Sequence, residues 1–201
     1  MILAIDTSIG TSVALVTAHG TVLAARSDAG TRGHAEAIGT FISDALADVG
    51  ARASSVAAVA VGMGPGPFTG LRVGIAAARA FAFGRGIEVW PVNSHDAAAS
   101  AFEGSGEFAV VTDAKRREHY LSVYRGVVDG VPERVSGPSL VRLDEVAVPE
   151  QVVTPGFVDA ASVARLAVAL SARGLATGPA QPLYLREPDV TISAGPKRVT
   201  S

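Results

Sequence analysis

Ile2-Leu-Ala-Ile-Asp-Thr-Ser8 opens the chain with an apolar run that ends on a carboxylate and two hydroxyls, and Phe108-Ala-Val-Val-Thr-Asp113 repeats that design in the second half. Each run is followed by further short apolar segments separated by turn residues: Ser12–Val16 and Gly20–Arg26 after the first, His119–Tyr124 and Gly126–Val131 after the second. Both halves therefore open as three-stranded meanders. Beyond Gly33 the period changes. Ile38, Phe41, Ile42, Ala45, Leu46 and Val49 recur at helical spacing and Gly50 closes the helix. Val56–Val61 reads as a buried strand. Thr69 is placed to cap a second helix running to Phe83, with Gly84 and Gly86 as its stop. Ile87–Val92 supplies a strand, and Ser94 caps a short helix to Ala101. In the second half, prolines 132, 138, 149 and 155 mark residues 132–155 as irregular edge structure, and residues 159–171 recover helical spacing. A β-β-β-α-β-α block followed by a shortened β-β-β…α block predicts two related lobes, residues 1–103 and 104–201, joined near 101–107. Mixed sheets flanked by helices, an α/β architecture, are the natural solution for such a pattern. The last ten residues lose hydrophobic pattern and are expected to be disordered.

Composition narrows the chemistry. The 201 residues are 48% hydrophobic and 18% charged, with a net charge of −2 and no cysteine. Low charge with high apolar content predicts compact folding. The slight negative balance provides no global positive field to gather phosphates, so autonomous nucleic-acid binding is disfavoured. Thiolate catalysis, disulfides and cysteine-held clusters are excluded outright. The N-terminus does not read as a signal peptide, and residues 55–61 and 75–83 fall short of the roughly 20 residues of a membrane helix. A cytoplasmic protein with no membrane contact is expected.

Asp6, Thr7 and Ser8 occupy the position at which actin-like and sugar-kinase folds place a carboxylate and a hydroxyl-bearing turn around nucleotide phosphates. The same residue types also serve simply to satisfy backbone donors in a turn. The equivalent turn in the second half is Asp113-Ala-Lys-Arg-Arg117, without the glycines that let backbone approach a phosphate; Lys115, Arg116 and Arg117 either meet an anion or form a solvated hairpin turn. Val61-Gly-Met-Gly-Pro-Gly-Pro-Phe-Thr-Gly-Leu-Arg72 invites comparison with a phosphate-binding loop. It lacks the Gly-x4-Gly-Lys-Ser/Thr frame, and Pro65 and Pro67 each remove an N–H that such a cradle would use. Gly64, Pro65, Gly66, Phe68, Thr69 and Gly70 are instead read as a rigid structural loop, the prolines fixing φ and the glycines allowing close approach. His34-Ala-Glu36 has no second histidine at helical spacing, because Ile38 stands there, and no Gly-x-Ser-x-Gly elbow occurs. Neither a metal site nor catalytic residues are expected.

The helix after the loop carries Gly74, Ala78 and Ala82 at four-residue spacing and is apolar nearly all round, with Arg72, Arg79 and Arg85 as its charges. One sheet covers one face of such a helix, so a partner is expected on the other. His34, Ile38, Phe41, Ile42 and Ala45 of the first helix, with Arg72, Gly74 and Ala78 of the second, are the expected partner interface.

Taken together these segments resemble the TsaB (YeaZ) family of bacterial tRNA-modification proteins. The resemblance rests on residues 2–8 with 12–15, on Gly33-His-Ala-Glu36, on Gly64-Pro-Gly-Pro-Phe-Thr-Gly-Leu-Arg-Val-Gly74, on Asp113-Ala-Lys-Arg-Arg-Glu-His-Tyr120 and on Pro182-Leu-Tyr-Leu-Arg186, and so spans most of the chain. Family members commonly carry Ser where Ala35 and Pro67 stand. The resemblance implies a two-lobed actin-like fold (ASKHA, ribonuclease H-like) with a vestigial phosphate turn at Asp6, Thr7 and Ser8 and no cofactor of its own. It implies a non-catalytic scaffold for TsaD, which supplies metal and active site, acting with the ATPase TsaE. The assembly transfers a threonylcarbamoyl group to N6 of the adenosine beside the anticodon, in tRNAs reading codons that begin with adenine. Contact with tRNA would come only through the complex, and the isolated chain could pair with itself. An actin-fold kinase or ATPase and a metallopeptidase-like protein are the alternatives.

Overall fold

A computed structural model describes residues 1–30 and 33–186. Two mixed sheets flanked by helices form the molecule, as the pattern predicts. The first sheet has five strands in the order β3-β2-β1-β4-β5: β1 (Ile2–Asp6), β2 (Thr11–Val16), β3 (Val22–Asp28), β4 (Ala58–Gly62) and β5 (Glu88–Val92). Strands β1, β2 and β3 make the antiparallel meander, while β4 and β5 join in parallel through helical crossovers. Strands β1, β2 and β4 are buried along their whole length, which is why they read as continuous apolar runs rather than alternating ones.

Two helices cover one face of this sheet. Helix α1 (His34–Asp48) and helix α2 (Phe68–Arg85) pack through Ile38, Ala45, Leu71, Ile75, Ala78 and Ala82 against Leu3, Ile5, Val13, Val59 and Val61. After β5 comes the short helix α3 (Ser94–Ala99). The second sheet, ordered β8-β7-β6-β9, holds β6 (Phe108–Asp113), β7 (His119–Val128), β8 (Val131–Val141) and β9 (Gln151–Val153). Helix α4 (Ala160–Ala172) is the last regular element among the described residues.

Several sequence expectations are corrected. Helix α2 starts one residue before Thr69, with Pro67 at the N-cap. Helix α3 is capped by Asn93 and not by Ser94, because the Asn93 Oδ1 accepts from the N–H groups of His95 and Asp96 at 2.9 and 3.2 Å. The predicted break near residue 125 is absent. Strand β7 runs on to Val128, and Asp129-Gly130, both with positive φ, makes the turn into β8, the sequence pair that favours a two-residue hairpin. Residues 132–141, expected to be irregular edge structure, belong with Val131 to a regular edge strand paired to β7 with register shifts; an edge tolerates Pro132 and Pro138 because one side of it needs no ladder donors.

Helix α4 departs furthest from a simple division at residue 104. Its Ala160, Ala161, Ala164, Leu166 and Ala167 pack on the second face of the first sheet, against Ile2, Ala4, Ala14, Val16 and Ala60. Small residues on both sides bring helix and sheet close. The first sheet is thus sandwiched between α1 and α2 on one side and α4 on the other. No helix among the described residues is long and apolar enough to cross a membrane. The expected disorder of the last ten residues lies outside the described residues.

Candidate functional site

The turn after β1 is closed by its own chain. Asp6, Thr7 and Ser8 are each no more than 2% exposed. Asp6 Oδ1 accepts from the Ser8 N–H at 2.7 Å and the Ser8 hydroxyl at 2.6 Å, and Oδ2 accepts from the Ser94 hydroxyl at 2.6 Å. Burial raises the Asp6 pKa, and the bonds from Ser8 and Ser94 work against that rise. The Ser94 oxygen in turn accepts from the Gly64 N–H at 3.0 Å. Thr7 donates to the Gly70 carbonyl at 2.7 Å and accepts from the Gly74 N–H at 3.1 Å, wedging its hydroxyl against the first turns of α2.

Glycines make this closure possible. A Cβ on Gly62 would lie 1.7 Å from Asp6 Oδ2, one on Gly66 2.5 Å from the Ser8 carbonyl oxygen, one on Gly70 2.7 Å from the Thr7 carbonyl oxygen, and one on Gly74 2.2 Å from Thr7 Oγ1. Residues 62–74 therefore pack directly onto the turn. Pro65 is buried with Gly64 and Gly66, while Phe68, half-buried, packs on Tyr184 with ring centroids 4.7 Å apart and carries the Arg72 guanidinium 3.7 Å from its ring centre. The exposed Thr69 makes no cap.

The turn in the second half is of another kind. Lys115, Arg116 and Arg117 take φ values of 66°, 57° and 64° in succession, a left-handed run unusual for residues with side chains. Lys115 is tied to Asp113 through its N–H at 2.7 Å and its ammonium at 2.8 Å, bonds that lower the Asp113 pKa. Arg186 spans the turn, pairing with Glu118 and donating to the Lys115 carbonyl at 3.2 Å. The cationic run is thus partly engaged from within the chain.

The expected interface residues divide by burial. His34, Ile38, Ala45, Gly74 and Ala78 face inward. His34 Nδ1 bonds Thr11 Oγ1 at 2.7 Å, and Gly74 is occupied by Thr7. Gly74 receives Thr7 of the protein's own first strand turn and Ala78 packs in the first core, so both are buried within this chain. Phe41 and Ile42 are half-buried, and Arg72 is exposed. The outward face of α2 is instead Arg72, Ala76, Arg79, Ala80 and Phe83, the last 90% exposed. Sequence spacing missed Phe83 because the helix is apolar on both faces.

A buried polar group joins α3 to the second sheet. His95 bonds Ser122 Oγ through Nδ1 and Thr112 Oγ1 through Nε2, both at 2.9 Å. Burial, helped by the charge of Arg134, lowers its pKa to about 3, so the ring is neutral. Asp96 accepts from the Tyr124 hydroxyl at 2.9 Å and pairs with Arg134 at 3.5 Å. Among the described residues no three His, Asp or Glu side chains stand together as metal ligands; a metal of the kind the resemblance assigns to TsaD finds no such donor set in them.

A sequence profile of TsaD, the tRNA N6-adenosine threonylcarbamoyltransferase, matches residues 23–184. The chain belongs to that family. Uncharacterised proteins of Mycobacterium bovis and Mycobacterium tuberculosis are each 36% identical over 202 aligned residues, 94% of this chain and 92% of theirs. Among solved structures, an uncharacterised Pseudomonas aeruginosa protein with similarity to the peptidase YEAZ superposes with a TM-score of 0.79 at 26% identity. YeaZ from the same organism follows at 0.77 and 26%. Each likeness covers 92% of this chain and 99% of the other. Within the family the chain is thus of the YeaZ (TsaB) type, and its two sheets with flanking helices are the actin-like, ASKHA fold.

Proposed function

We propose that this chain is a non-catalytic subunit required for threonylcarbamoylation of N6 of the adenosine next to the anticodon, in tRNAs reading codons that begin with adenine. It acts with TsaD, the subunit that transfers the group, and with TsaE, and it meets tRNA only within that assembly. It works in the cytoplasm. The observation that carries the non-catalytic reading is the closure of the Asp6–Ser8 turn: its carboxylate and both hydroxyls are spent on Ser94, Gly70 and each other, and residues 62–74 pack directly onto it. A kinase or ATPase of this fold would need those groups free for a magnesium-bound phosphate.

TsaD docks on the outward face of α1 and α2. Arg72, Ala76, Arg79 and Phe83 form the α2 part, and the half-buried Phe41 and Ile42 lie on α1. An exposed phenylalanine beside arginines has the make-up of an interface anchor. In the absence of TsaD the same face pairs two copies of this chain. The test is reconstitution from purified TsaD, TsaE and tRNA, scored for modified adenosine with and without this chain. Modification that depends on the chain, with co-elution of the chain and TsaD, is expected. Equal modification in its absence would overturn the reading.

A further inference from the structure

Between the two halves lies a cleft of about 420 Å³, lined by Asn93, Asp96, Arg134, Thr177 and the apolar side chains of Pro138, Leu170 and Leu183. One wall is the start of α3, another is β8, and the third is the chain at 176–183. That third wall is held down where Gly178 lies on the Pro91 carbonyl and the Leu183 N–H donates to the Met63 carbonyl at 2.8 Å. The volume is in the range of small-molecule sites, which typically combine apolar walls with a few converging polar groups.

Those polar groups are only half used. Asn93 is 3% exposed. Capping α3 consumes its Oδ1, which fixes the orientation of the amide and leaves Nδ2 as a donor open to solvent. Asp96 spends Oδ1 on Tyr124 and Arg134, and its Oδ2 has no hydrogen-bond partner among them. Arg134 approaches Asp96 Oδ1 through Nε at 3.5 Å, and its Nη groups donate no hydrogen bond to a described residue. An amide, a guanidinium and a carboxylate thus border one largely apolar cleft.

We propose that this cleft binds a small zwitterion, an α-amino acid with an aliphatic side chain. Its carboxylate takes the Arg134 fork and the Asn93 amide, its ammonium takes Asp96 Oδ2, and its side chain lies on Pro138, Leu170 and Leu183. Adjacent opposite charges in the site match the adjacent opposite charges of an amino acid. A lone anion would leave Asp96 Oδ2 unanswered, and a lone amine would leave Asn93 Nδ2 and the Arg134 Nη groups so.

Titration calorimetry of the full chain with L-leucine, with hexanoate and hexylamine as one-charge controls, tests this. Saturable binding of leucine with Kd at or below about 1 mM, and at least tenfold weaker binding of both controls, is expected. Asn93→Asp keeps the Oδ1 cap and removes the donor; Arg134→Gln keeps the strand and removes the fork. Each is expected to weaken leucine at least tenfold with an unchanged circular dichroism spectrum. Should Asn93→Asp fail to fold, Arg134→Gln alone decides. No saturable heat, hexanoate or hexylamine binding as well as leucine, or folded variants that bind leucine as the parent does would each overturn the proposal.

Discussion

At the scale of single residues, Thr7 and Gly74 show how tightly the first turn is built. The Thr7 hydroxyl bridges the Gly70 carbonyl and the Gly74 N–H, and no Cβ fits between them. Gly74→Ala should therefore destabilise the protein by about 1–3 kcal/mol through overpacking, although alanine is the better helix former. Thr7→Ala should recover part of that loss in the double variant, so that urea unfolding of the four proteins gives a non-additive cycle. Strict additivity would mean that the two positions do not touch. His95 offers a second test. Its pKa falls from 6.5 in the unfolded chain to about 3 in the fold, so between those values the unfolded state binds the extra proton. Stability should then fall as pH is lowered below 6.5, by up to about 1.4 kcal/mol per unit from this group. Asp6 acts with the opposite sign, since a raised pKa favours the folded state as pH drops. The two separate in His95→Gln, whose unfolding free energy should depend less on pH between 6.5 and 4.5 than that of the parent. An unchanged slope would remove His95 from the account.

At the scale of elements, the first sheet and both long helices were legible because their signals are local: β-branched runs, the 3.6 period of α1, and glycines at helix ends. The second sheet was less legible. Its β8 hides behind prolines that only an edge position permits, and the Asp129-Gly130 hairpin signal was overlooked in favour of a break near residue 125. Of the site, the glycine–proline loop was readable as structural, but what its glycines approach was not, since the Asp6–Ser8 turn lies far off in sequence. The small-residue stripe of α2 signals close packing, but periodicity cannot distinguish a neighbouring strand turn from a foreign helix. The face left outward makes its own prediction. Phe83→Ser combined with Arg72→Glu alters two exposed side chains and gives up the Arg72–Phe68 contact, so the variant should unfold within about 1 kcal/mol of the parent, while size-exclusion chromatography with TsaD should show association lost. A folded double variant that co-elutes normally would move the docking surface elsewhere.

At the scale of the whole molecule, the two halves are interlocked and not merely joined in series. Helix α4, encoded after the second sheet, completes the core of the first, and His95 from the first half is held by Thr112 and Ser122 of the second. Such interlocking predicts one cooperative unfolding transition by all probes, and truncation before residue 160 should expose the face of Ile2, Ala4 and Ala14 and abolish it. The proposed role needs a docking face and makes no use of the closed Asp6–Ser8 turn. It is tested most directly by supplying two variants to the reconstituted threonylcarbamoylation reaction. Asp6→Asn keeps the bonds to Ser8 and removes the charge a magnesium-bound phosphate would require; Phe83→Ser with Arg72→Glu leaves the turn intact and removes the docking face. The first should support tRNA modification at the parental rate and the second should not. A folded Asp6→Asn chain that fails, beside a surface variant that succeeds, would contradict it.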